Sequence, residues 1–460
     1  MAGLEDEPIA VLPLPIGSAH RLGDLLGRDA TWFPDGQQIT YAKANELYLC
    51  KADGTESRKL VSAPGLAAWP RWSPDGSTLR FTVADAKTAS NSLWEVRGDG
   101  TNLRPLLSGW NTPPAECCGN WTPDGRYFVF QSTRAGRTNI WARREKRGLF
   151  SRGATEPVQL TTGGMNYLSP VVGRDGKHIF VIGAALRGEV VRYDSNSRQL
   201  VPYFSDISAD GLDFSRDGQW VTYVAFPEGT LWRSRKDGSE RLPLTFSPMH
   251  AFMPRWSPDG KRIAFNATVP GQRWKVYVVS AEGGTPQQMT QGTADEMDVG
   301  WSSDGNSLVF GSYPAGDARA AAIDILDLRT HQISRLPGSK GIFSPRWSPD
   351  GRYIAAIVVL EFNKLMLYDF MTKKWAVLAN SLIGDPNWSR DGRAVYFDGF
   401  SGGTDTTYYR VRLADHKLEQ LFVTKDLRRT GWSGLAPDDS PLFLRDVGTQ
   451  EIFALDWEAP

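Results

Sequence analysis

Cysteine and histidine are scarce in this chain, and their scarcity excludes two common ways of stabilising a fold. The 460 residues include 3 cysteines and 5 histidines. Three cysteines cannot form a disulfide framework, and the adjacent Cys117 and Cys118 are expected to be free thiols because neighbours bridge only through a strained ring. The histidines lack the spacing of a zinc site. The sequence therefore predicts no metal and no cofactor.

The chain also lacks a net charge, a long apolar run and a visible export signal. Lys and Arg number 52, and Asp and Glu number 52, so no positive field gathers the phosphates of a nucleic acid. The longest apolar run, Tyr353 to Leu360, is far shorter than the ~20 residues of a membrane helix. The N-terminus has neither a basic nor an apolar signal segment. We expect no nucleic-acid binding and no membrane insertion by this chain.

Turn residues and tryptophan are abundant, with 46 Gly, 29 Pro and 17 Trp. A five-residue phrase recurs throughout: an aromatic residue, then most often Ser, Pro, Asp and Gly. Its copies are Trp32–Gly36, Trp72–Gly76, Trp121–Gly125, Val172–Gly176, Phe214–Gly218, Trp256–Gly260, Trp301–Gly305, Trp347–Gly351, Trp388–Gly392 and the degenerate Leu435–Asp439. Successive phrase aspartates lie 40 to 51 residues apart, the period of a four-stranded propeller blade.

The phrase has the composition of a tight turn. Proline fixes φ at the first turn position, aspartate accepts a hydrogen bond from the backbone two residues on, and glycine supplies a positive φ. We therefore interpret the phrase aspartates as turn formers rather than as cation ligands.

Strand-like runs with alternating polarity follow each turn, and they predict an all-β fold, a β-propeller in one domain spanning residues 1–460. We expect one ring of ten four-stranded blades, with residues 1–8 as a flexible tail. In this hypothesis the segment Ile9 to Leu14 supplies the fourth strand of the last blade, beside Glu451 to Ala454, and so closes the ring without a free sheet edge. Two smaller rings, or a ring with irregular blades, are the alternatives.

The residue just before the phrase aromatic is polar in five copies. These residues are Arg71, Asn120, Arg255, Arg346 and Asn387. First strands lie nearest the axis of a propeller, so these side chains are candidates for binding an anionic or carbohydrate-like ligand in the channel. The alternative is that the arginines form ion pairs between blades.

A second candidate is the long connection before the third phrase, from Gly109 to Asn120. It carries Trp110, Glu116, Cys117 and Cys118, and an enlarged loop on one face of a ring can form the wall of a ligand or partner site. The alternative is a loop packed over the mouth of the channel.

One catalytic pattern is present, and its context speaks against catalysis. The segment Gly399-Phe-Ser401-Gly-Gly403 satisfies G-x-S-x-G, but this motif works on a strand-to-helix elbow with an acid and a histidine downstream. Here it joins two predicted strands. No phosphate-binding glycine motif occurs either, so the sequence predicts no catalytic residue and a protein that is not an enzyme.

The repeated Trp-Ser-Pro-Asp-Gly phrase, with turns such as Ala52 to Thr55 and Lys236 to Ser239, resembles the TolB-type, WD40-like propeller family over residues 9–457. Two further segments, Pro114 to Gly125 and Arg445 to Trp457, resemble the propeller half of bacterial regulators that carry a winged-helix or protein-kinase domain. The resemblance implies a monomeric sensory or interaction module of a bacterial signalling or transport protein, which binds a protein, a peptide or a small polar ligand.

The alternative function is a propeller enzyme or a substrate-gating domain, hydrolase-like or lactonase-like, with its site on the channel face. The compartment stays open: extracytoplasmic if the ring belongs to a membrane-anchored regulator, and otherwise cytoplasmic.

Overall fold

The computed structural model describes residues 6–13, 15, 17–85, 88, 90–134, 136–145, 156–204, 207–314, 317–400, 405–424, 427 and 429–459. Within these ranges the chain is built from 40 strands and one 3₁₀ turn, Ala318–Ala320. No helix in the described ranges has the length and hydropathy needed to cross a membrane. The all-β prediction is confirmed.

The strands are short and alternate with tight turns along the whole chain. In order they are β1 Glu7–Val11, β2 His20–Trp32, β3 Gln38–Lys43, β4 Glu46–Lys51, β5 Arg58–Ser62, β6 Leu66–Trp72, β7 Thr78–Asp85, β8 Ser90–Arg97, β9 Arg104–Pro105, β10 Glu116–Trp121, β11 Tyr127–Arg134, β12 Arg137–Arg144, β13 Val158–Gln159, β14 Asn166–Val172, β15 His178–Ala185, β16 Gly188–Asp194, β17 Gln199–Phe204, β18 Ala209–Phe214, β19 Trp220–Ala225, β20 Leu231–Arg235, β21 Leu242–Pro243, β22 His250–Trp256, β23 Arg262–Thr268, β24 Lys275–Ser280, β25 Gln287–Gln288, β26 Asp295–Trp301, β27 Ser307–Tyr313, β28 Ala322–Asp327, β29 Ile333–Arg335, β30 Ile342–Trp347, β31 Tyr353–Val358, β32 Lys364–Asp369, β33 Lys374–Asn380, β34 Asn387–Trp388, β35 Ala394–Phe400, β36 Thr406–Arg412, β37 Leu418–Thr424, β38 Arg429–Leu435, β39 Pro441–Asp446 and β40 Thr449–Asp456.

The chain divides into two compact units. Unit 1 comprises residues 1–185 and 449–460. Its described strands form four antiparallel sheets with the orders β1-β2-β3-β4-β5, β6-β7-β8-β9, β10-β11-β12-β13 and β14-β15-β40. Its core lies between the sheets, where Phe81, Phe128 and Phe130 are almost fully buried.

Unit 2 comprises residues 186–448, and its described strands form six four-stranded sheets. Five of them are meanders of consecutive strands, β18 to β21, β22 to β25, β26 to β29, β30 to β33 and β34 to β37. The sixth combines both ends of the unit in the order β17-β16-β39-β38. A single ring made of all ten sheets is not confirmed by this arrangement and stays a prediction.

The predicted closure by the N-terminal strand is wrong. Strand β1 pairs with β2, and β40 pairs with β15 instead of with the N-terminal segment. The physical reason is that β2 is long enough, at 13 residues, to pair with both β1 and β3. Strand β1 begins at Glu7, inside the expected tail 1–8, of which residues 1–5 lie outside the described ranges.

The turn interpretation of the repeated phrase is confirmed in all ten copies. In each copy the aspartate Oδ1 accepts a hydrogen bond from the backbone N–H two residues on, at 2.8 to 3.1 Å. The glycine that follows the aspartate has a positive φ in the nine regular copies. These turns connect the first and second strands of the sheets.

A β-bulge in the first strand is the second recurring feature. The residue three positions before the phrase aromatic has a left-handed backbone in eight copies: Asp29, Trp69, Cys118, Ser169, Gly211, Met253, Asp298 and Ser344. The register of the first strand against the second shifts at the same place. A bulge re-aims the side chains next to it, and here the residue before the aromatic is one of them.

The aromatic residue of the phrase then connects one sheet to the preceding sheet. In unit 2, Trp301 Nε1 donates to the carbonyl oxygen of Arg255 at 3.0 Å, and Trp388 Nε1 donates to that of Arg346 at 2.8 Å. In unit 1, Trp121 Nε1 donates to the carbonyl oxygen of Arg71 at 3.3 Å. These three tryptophans therefore link neighbouring sheets, whereas Trp347 Nε1 donates to the carbonyl oxygen of Gly351 within its own phrase at 3.0 Å.

The turn aspartates generate a prediction for Asp304. Hydrogen bonds from Ser302 and Asn306 lower the pKa of its carboxyl group from 3.8 to about 2. Because the folded-state pKa lies below the unfolded one, the ionised form adds stability above about pH 4 that is lost as the pH falls toward about 2.

We expect Asp304→Asn to lower the free energy of unfolding by about 0.5–1 kcal/mol at neutral pH, a small value because solvent screens this exposed group. Urea unfolding curves should show that the difference in the free energy of unfolding between the variant and the wild type becomes smaller below about pH 4. A difference that does not change with pH would contradict this origin.

Candidate functional site

Unit 2 contains a cavity of about 580 Å³ on the side where the phrase turns lie. Residues from all six sheets line it. Five consecutive sheets contribute the residue before the phrase aromatic, namely Asp213, Arg255, Gly300, Arg346 and Asn387. The sixth contributes Leu435 and the residues just after β38. The volume is in the range of small-molecule and peptide sites.

Three of the five predicted channel residues, Arg255, Arg346 and Asn387, therefore meet at one cavity. Both arginines hold their guanidinium group in the same way, because Nη1 donates to the carbonyl oxygen of the preceding proline at 3.0 Å. Asn387 donates from Nδ2 to the carbonyl oxygens of Asp385 at 3.1 Å and Ser433 at 3.3 Å. Whether this cavity binds a ligand stays a prediction.

The two arginines differ in their partners. Arg346 Nη2 lies 3.2 Å from Asp298 Oδ1, and both side chains are buried. This is the ion pair that the alternative interpretation expected, and it joins β30 to β26. Arg255 has no carboxylate within 4.0 Å among the residues that the structure describes, and its Nη2 contacts only the sulfur of Met253, at 3.9 Å. The positive charge of Arg255 is therefore not neutralised by an ion pair.

Asp213 contributes a half-buried carboxylate to the cavity wall. Its Oδ2 accepts a hydrogen bond from the backbone N–H of Trp256 at 2.7 Å. Burial raises the pKa of Asp213, and the attraction of Arg255 offsets this rise only in part. Burial, together with repulsion from Arg346, lowers the pKa of Arg255. A carboxyl group with a raised pKa can hold and exchange a proton closer to neutral pH than an ordinary aspartate can.

Two further arginines, Arg216 and Arg390, line the cavity at its exposed rim, and the sequence analysis missed them. Both occupy the third position of the phrase, where most copies have proline. Arg390 donates from Nη1 to the carbonyl oxygen of Pro437 at 3.2 Å and from Nη2 to that of Arg216. The signal that reveals them is a departure from the repeat, and Asp213, an acid where five other copies have Arg or Asn, is found in the same way.

The other two predicted channel residues, Arg71 and Asn120, belong to unit 1. Arg71 donates from Nη1 to the carbonyl oxygen of Pro70 at 2.8 Å, as its two counterparts in unit 2 do with their prolines. Burial lowers the pKa of Arg71. Asn120 lies in β10, opposite Val129 of β11. Arg71 is thus a chemical equivalent of Arg255 outside the cavity.

The predicted loop from Gly109 to Asn120 ends earlier than expected, because β10 begins at Glu116. Trp110 packs edge-on against Trp141, with ring centroids 4.9 Å apart. Glu116 is buried, and burial raises the pKa of its carboxyl group. The ring contact of Trp110 and the burial of Glu116 show that this segment is packed against the sheets.

The expectation of free thiols at Cys117 and Cys118 is wrong, because a disulfide bond joins them. The bulge explains how neighbours can meet: Cys118 has a φ of +60°, so the two side chains do not alternate to opposite faces as in a regular strand. Cys50 is a free, buried cysteine.

The candidate nucleophile Ser401 lies outside the described residues, as do the neighbouring Gly402 and Gly403. Among the described residues, no group of three or more His, Cys, Asp or Glu side chains has the arrangement of a metal site. The chemistry available in the described cavity is therefore that of guanidinium, carboxyl, amide and hydroxyl groups.

Comparison with known proteins places this geometry in a family. The model of the TolB beta propeller domain, PD40, matches residues 29–210 and 211–436. The crystal structure of TolB from Acinetobacter baumannii is 14% identical and has a TM-score of 0.30, with 90% of this chain and 79% of that chain covered.

Two curated relatives are named as peptidases. The uncharacterized peptidase YuxL of Bacillus subtilis is 26% identical over 223 residues, which is 46% of this chain and 32% of the relative. Dipeptidyl-peptidase 5 of Porphyromonas gingivalis is 20% identical over 408 residues, which is 79% of this chain and 54% of the relative. The matches span less than two thirds of the length of either peptidase.

These relatives correct the predicted function. A non-enzymatic sensory or signalling module is the wrong expectation, and the alternative, a propeller with enzymatic function, agrees better with relatives that are named as peptidases. Local catalytic motifs are a poor guide to function in this fold. The cavity residues come from six sheets, so no short segment carries their pattern.

The raised pKa of Asp213 generates a prediction about stability and pH. A carboxyl group with a folded-state pKa above the unfolded one costs stability when ionised, so stability increases as the pH falls through the folded-state pKa. In Asp213→Asn the amide oxygen can still accept the Trp256 N–H. We expect this variant to be more stable than the wild type at pH 8 and to lose that advantage toward about pH 4.5. Denaturant unfolding at several pH values would test this prediction. An equal gain in the free energy of unfolding at pH 8 and at about pH 4.5 would contradict it.

The ion pair generates a second prediction. Arg346→Ala leaves the carboxylate of Asp298 buried without its partner, which should lower the free energy of unfolding by about 3–5 kcal/mol. Arg255→Ala breaks no ion pair and should cost clearly less. Thermal and urea unfolding of both variants would measure this, and equal losses would show that the pair with Asp298 is not what distinguishes the two arginines.

Proposed function

The chain belongs to the TolB β-propeller family, and from this premise we propose that it acts in peptide hydrolysis, with the cavity of unit 2 as the site that binds the peptide. The observation that carries the proposal is the convergence of Arg255, Arg346 and Asp213 on one cavity of about 580 Å³. The names of the two curated relatives support peptides as the substrate class.

The cavity offers groups that match a peptide. Guanidinium N–H groups donate to carbonyl and carboxylate oxygens, and the half-buried Asn387 adds an amide. Exposed ring surfaces of the phrase tryptophans, such as Trp347 and Trp388, line the same cavity and can cover apolar side chains.

Asp213 is the cavity group best suited to move a proton. Burial raises its pKa, and its hydrogen bond from Trp256 N–H holds the carboxyl group in place. A carboxyl group in this setting can give a proton to a leaving amine or take one from water. Arg255, which forms no ion pair among the described residues, would donate hydrogen bonds to an oxygen of the bound peptide.

The test uses a set of labelled short peptides with the purified chain. Binding is measured by fluorescence anisotropy, and cleavage by mass spectrometry of the products. We expect saturable peptide binding, and we expect Arg255→Gln to raise the Kd about tenfold by removing a charged donor from the cavity.

Arg71→Gln is the matched control, because Arg71 follows a proline and precedes a phrase tryptophan just as Arg255 does, but in unit 1. It should leave the Kd within about twofold of the wild-type value. The proposal fails if no peptide binds, or if the two glutamine variants weaken binding equally. Cleavage by the chain that is lost in Asp213→Asn would assign the proton transfer to Asp213.

A further inference from the structure

We propose that the cavity of unit 2 recognises the terminal carboxylate of its peptide and that Arg255 is the residue that binds it. This inference rests on the proposed function and makes it narrower: the substrate class becomes peptides with a free C-terminus. Three observations lead to it. They are the charge of the cavity lining, the lack of an ion pair at Arg255 among the described residues, and the hydrogen bond that the Asp213 carboxyl group already accepts from Trp256.

The cavity lining has an excess of positive charge, although the whole chain has none. Four arginines line it: Arg216, Arg255, Arg346 and Arg390. The carboxylates that line it are Asp213 and Asp439, while Lys and Arg equal Asp and Glu over the full sequence. A concave site with one dominant sign of charge attracts a ligand of the opposite sign and raises its association rate.

Arg255 is the lining arginine whose charge is most in need of a partner. Arg346 is paired with Asp298, and Arg390 donates to backbone carbonyls. Arg216 lies exposed to solvent, which screens its charge. Arg255 is half-buried in the wall, where burial and repulsion from Arg346 lower its pKa and the attraction of Asp213, Asp298 and Asp385 offsets this only in part. A buried charge without a partner is costly, so a carboxylate ligand would stabilise it.

The hydrogen-bond geometry of Arg255 leaves donors available. One Nη1 N–H is used by the carbonyl oxygen of Pro254 at 3.0 Å, and Nη2 contacts the weak acceptor sulfur of Met253. A guanidinium group has five N–H donors, and pairing with a carboxylate in a bidentate way is its strongest common interaction. A neutral amide presents one carbonyl oxygen and no charge, so it would bind less tightly.

A carboxylate ligand bound at Arg255 would share the cavity wall with the carboxyl group of Asp213. Burial raises the pKa of Asp213, whereas the attraction of Arg255 lowers it, and Asp213 Oδ2 already accepts the Trp256 N–H. Among the described residues Asp213 and Arg255 form no ion pair, although the attraction of Asp213 acts on the charge of Arg255. The guanidinium group of Arg255 can therefore still pair with a carboxylate of a ligand.

The decisive experiment compares one labelled peptide in two forms, with a free C-terminal carboxylate and with a C-terminal amide. We expect the acid to bind wild-type protein at least about tenfold more tightly than the amide. In Arg255→Gln the two forms should bind alike, while the matched control Arg71→Gln should retain the full preference. Circular dichroism and melting curves of the two variants verify that both are folded.

The outcomes separate this inference from the function on which it rests. If neither form binds, the proposed function fails. If acid and amide bind wild-type protein equally well, peptide binding stands and recognition of the carboxylate is refuted, and this comparison needs no variant. Acetate and inorganic phosphate are then added as competitors at equal ionic strength. Displacement by acetate supports a carboxylate site, whereas displacement by phosphate at a lower concentration would assign the site to phosphate and overturn the proposal.

Discussion

The bulge in the first strand is the constraint on which the rest of this structure depends. A left-handed residue three positions before the phrase aromatic shifts the register and re-aims the residue that precedes the aromatic. The aromatic itself then lies between sheets, where the indole N–H of Trp301 or Trp388 donates to a carbonyl oxygen of the preceding sheet. The bulge therefore helps to set the spacing of the sheets through the aromatic residue. In unit 2 it also directs the residue before the aromatic toward the cavity.

The candidate site combines residues at regular repeat positions, such as Arg255 and Arg346, with residues that depart from the repeat. Arg216 and Arg390 occupy the turn position where most copies have an uncharged proline, and they place positive charges at the rim of the cavity. Asp213 places a carboxyl group at the position where five other copies have arginine or asparagine. A turn can accept these changes because its aspartate and glycine still close it. A repeat protein can thus vary its ligand without altering the bonds that hold its sheets.

Charge distribution connects the site to the proposed function. The chain as a whole is neutral, so the excess of arginine in the cavity lining is a local property. Arg346 is neutralised by Asp298, and this ion pair joins two sheets. Arg255, in an equivalent position, forms no ion pair among the described residues, and it is the residue to which we assign a ligand in our proposal. Two arginines at equivalent repeat positions therefore have different surroundings, one in a buried ion pair and one without such a pair among the described residues. The names of the peptidase relatives give the substrate class that agrees best with this arrangement.

The sequence by itself determined the all-β class, the period of the sheets and the turn role of each phrase aspartate, because these depend on bonds between residues close together in the chain, such as Asp350 with Arg352. It also placed Arg255, Arg346 and Asn387 at equivalent positions. Only the tertiary structure decided that β40 pairs with β15, that Arg346 has an ion partner while Arg255 has none in the described part of the chain, and that Asp213 lies in the same wall. These facts depend on contacts between residues more than forty positions apart, and no local pattern records which distant residues will meet.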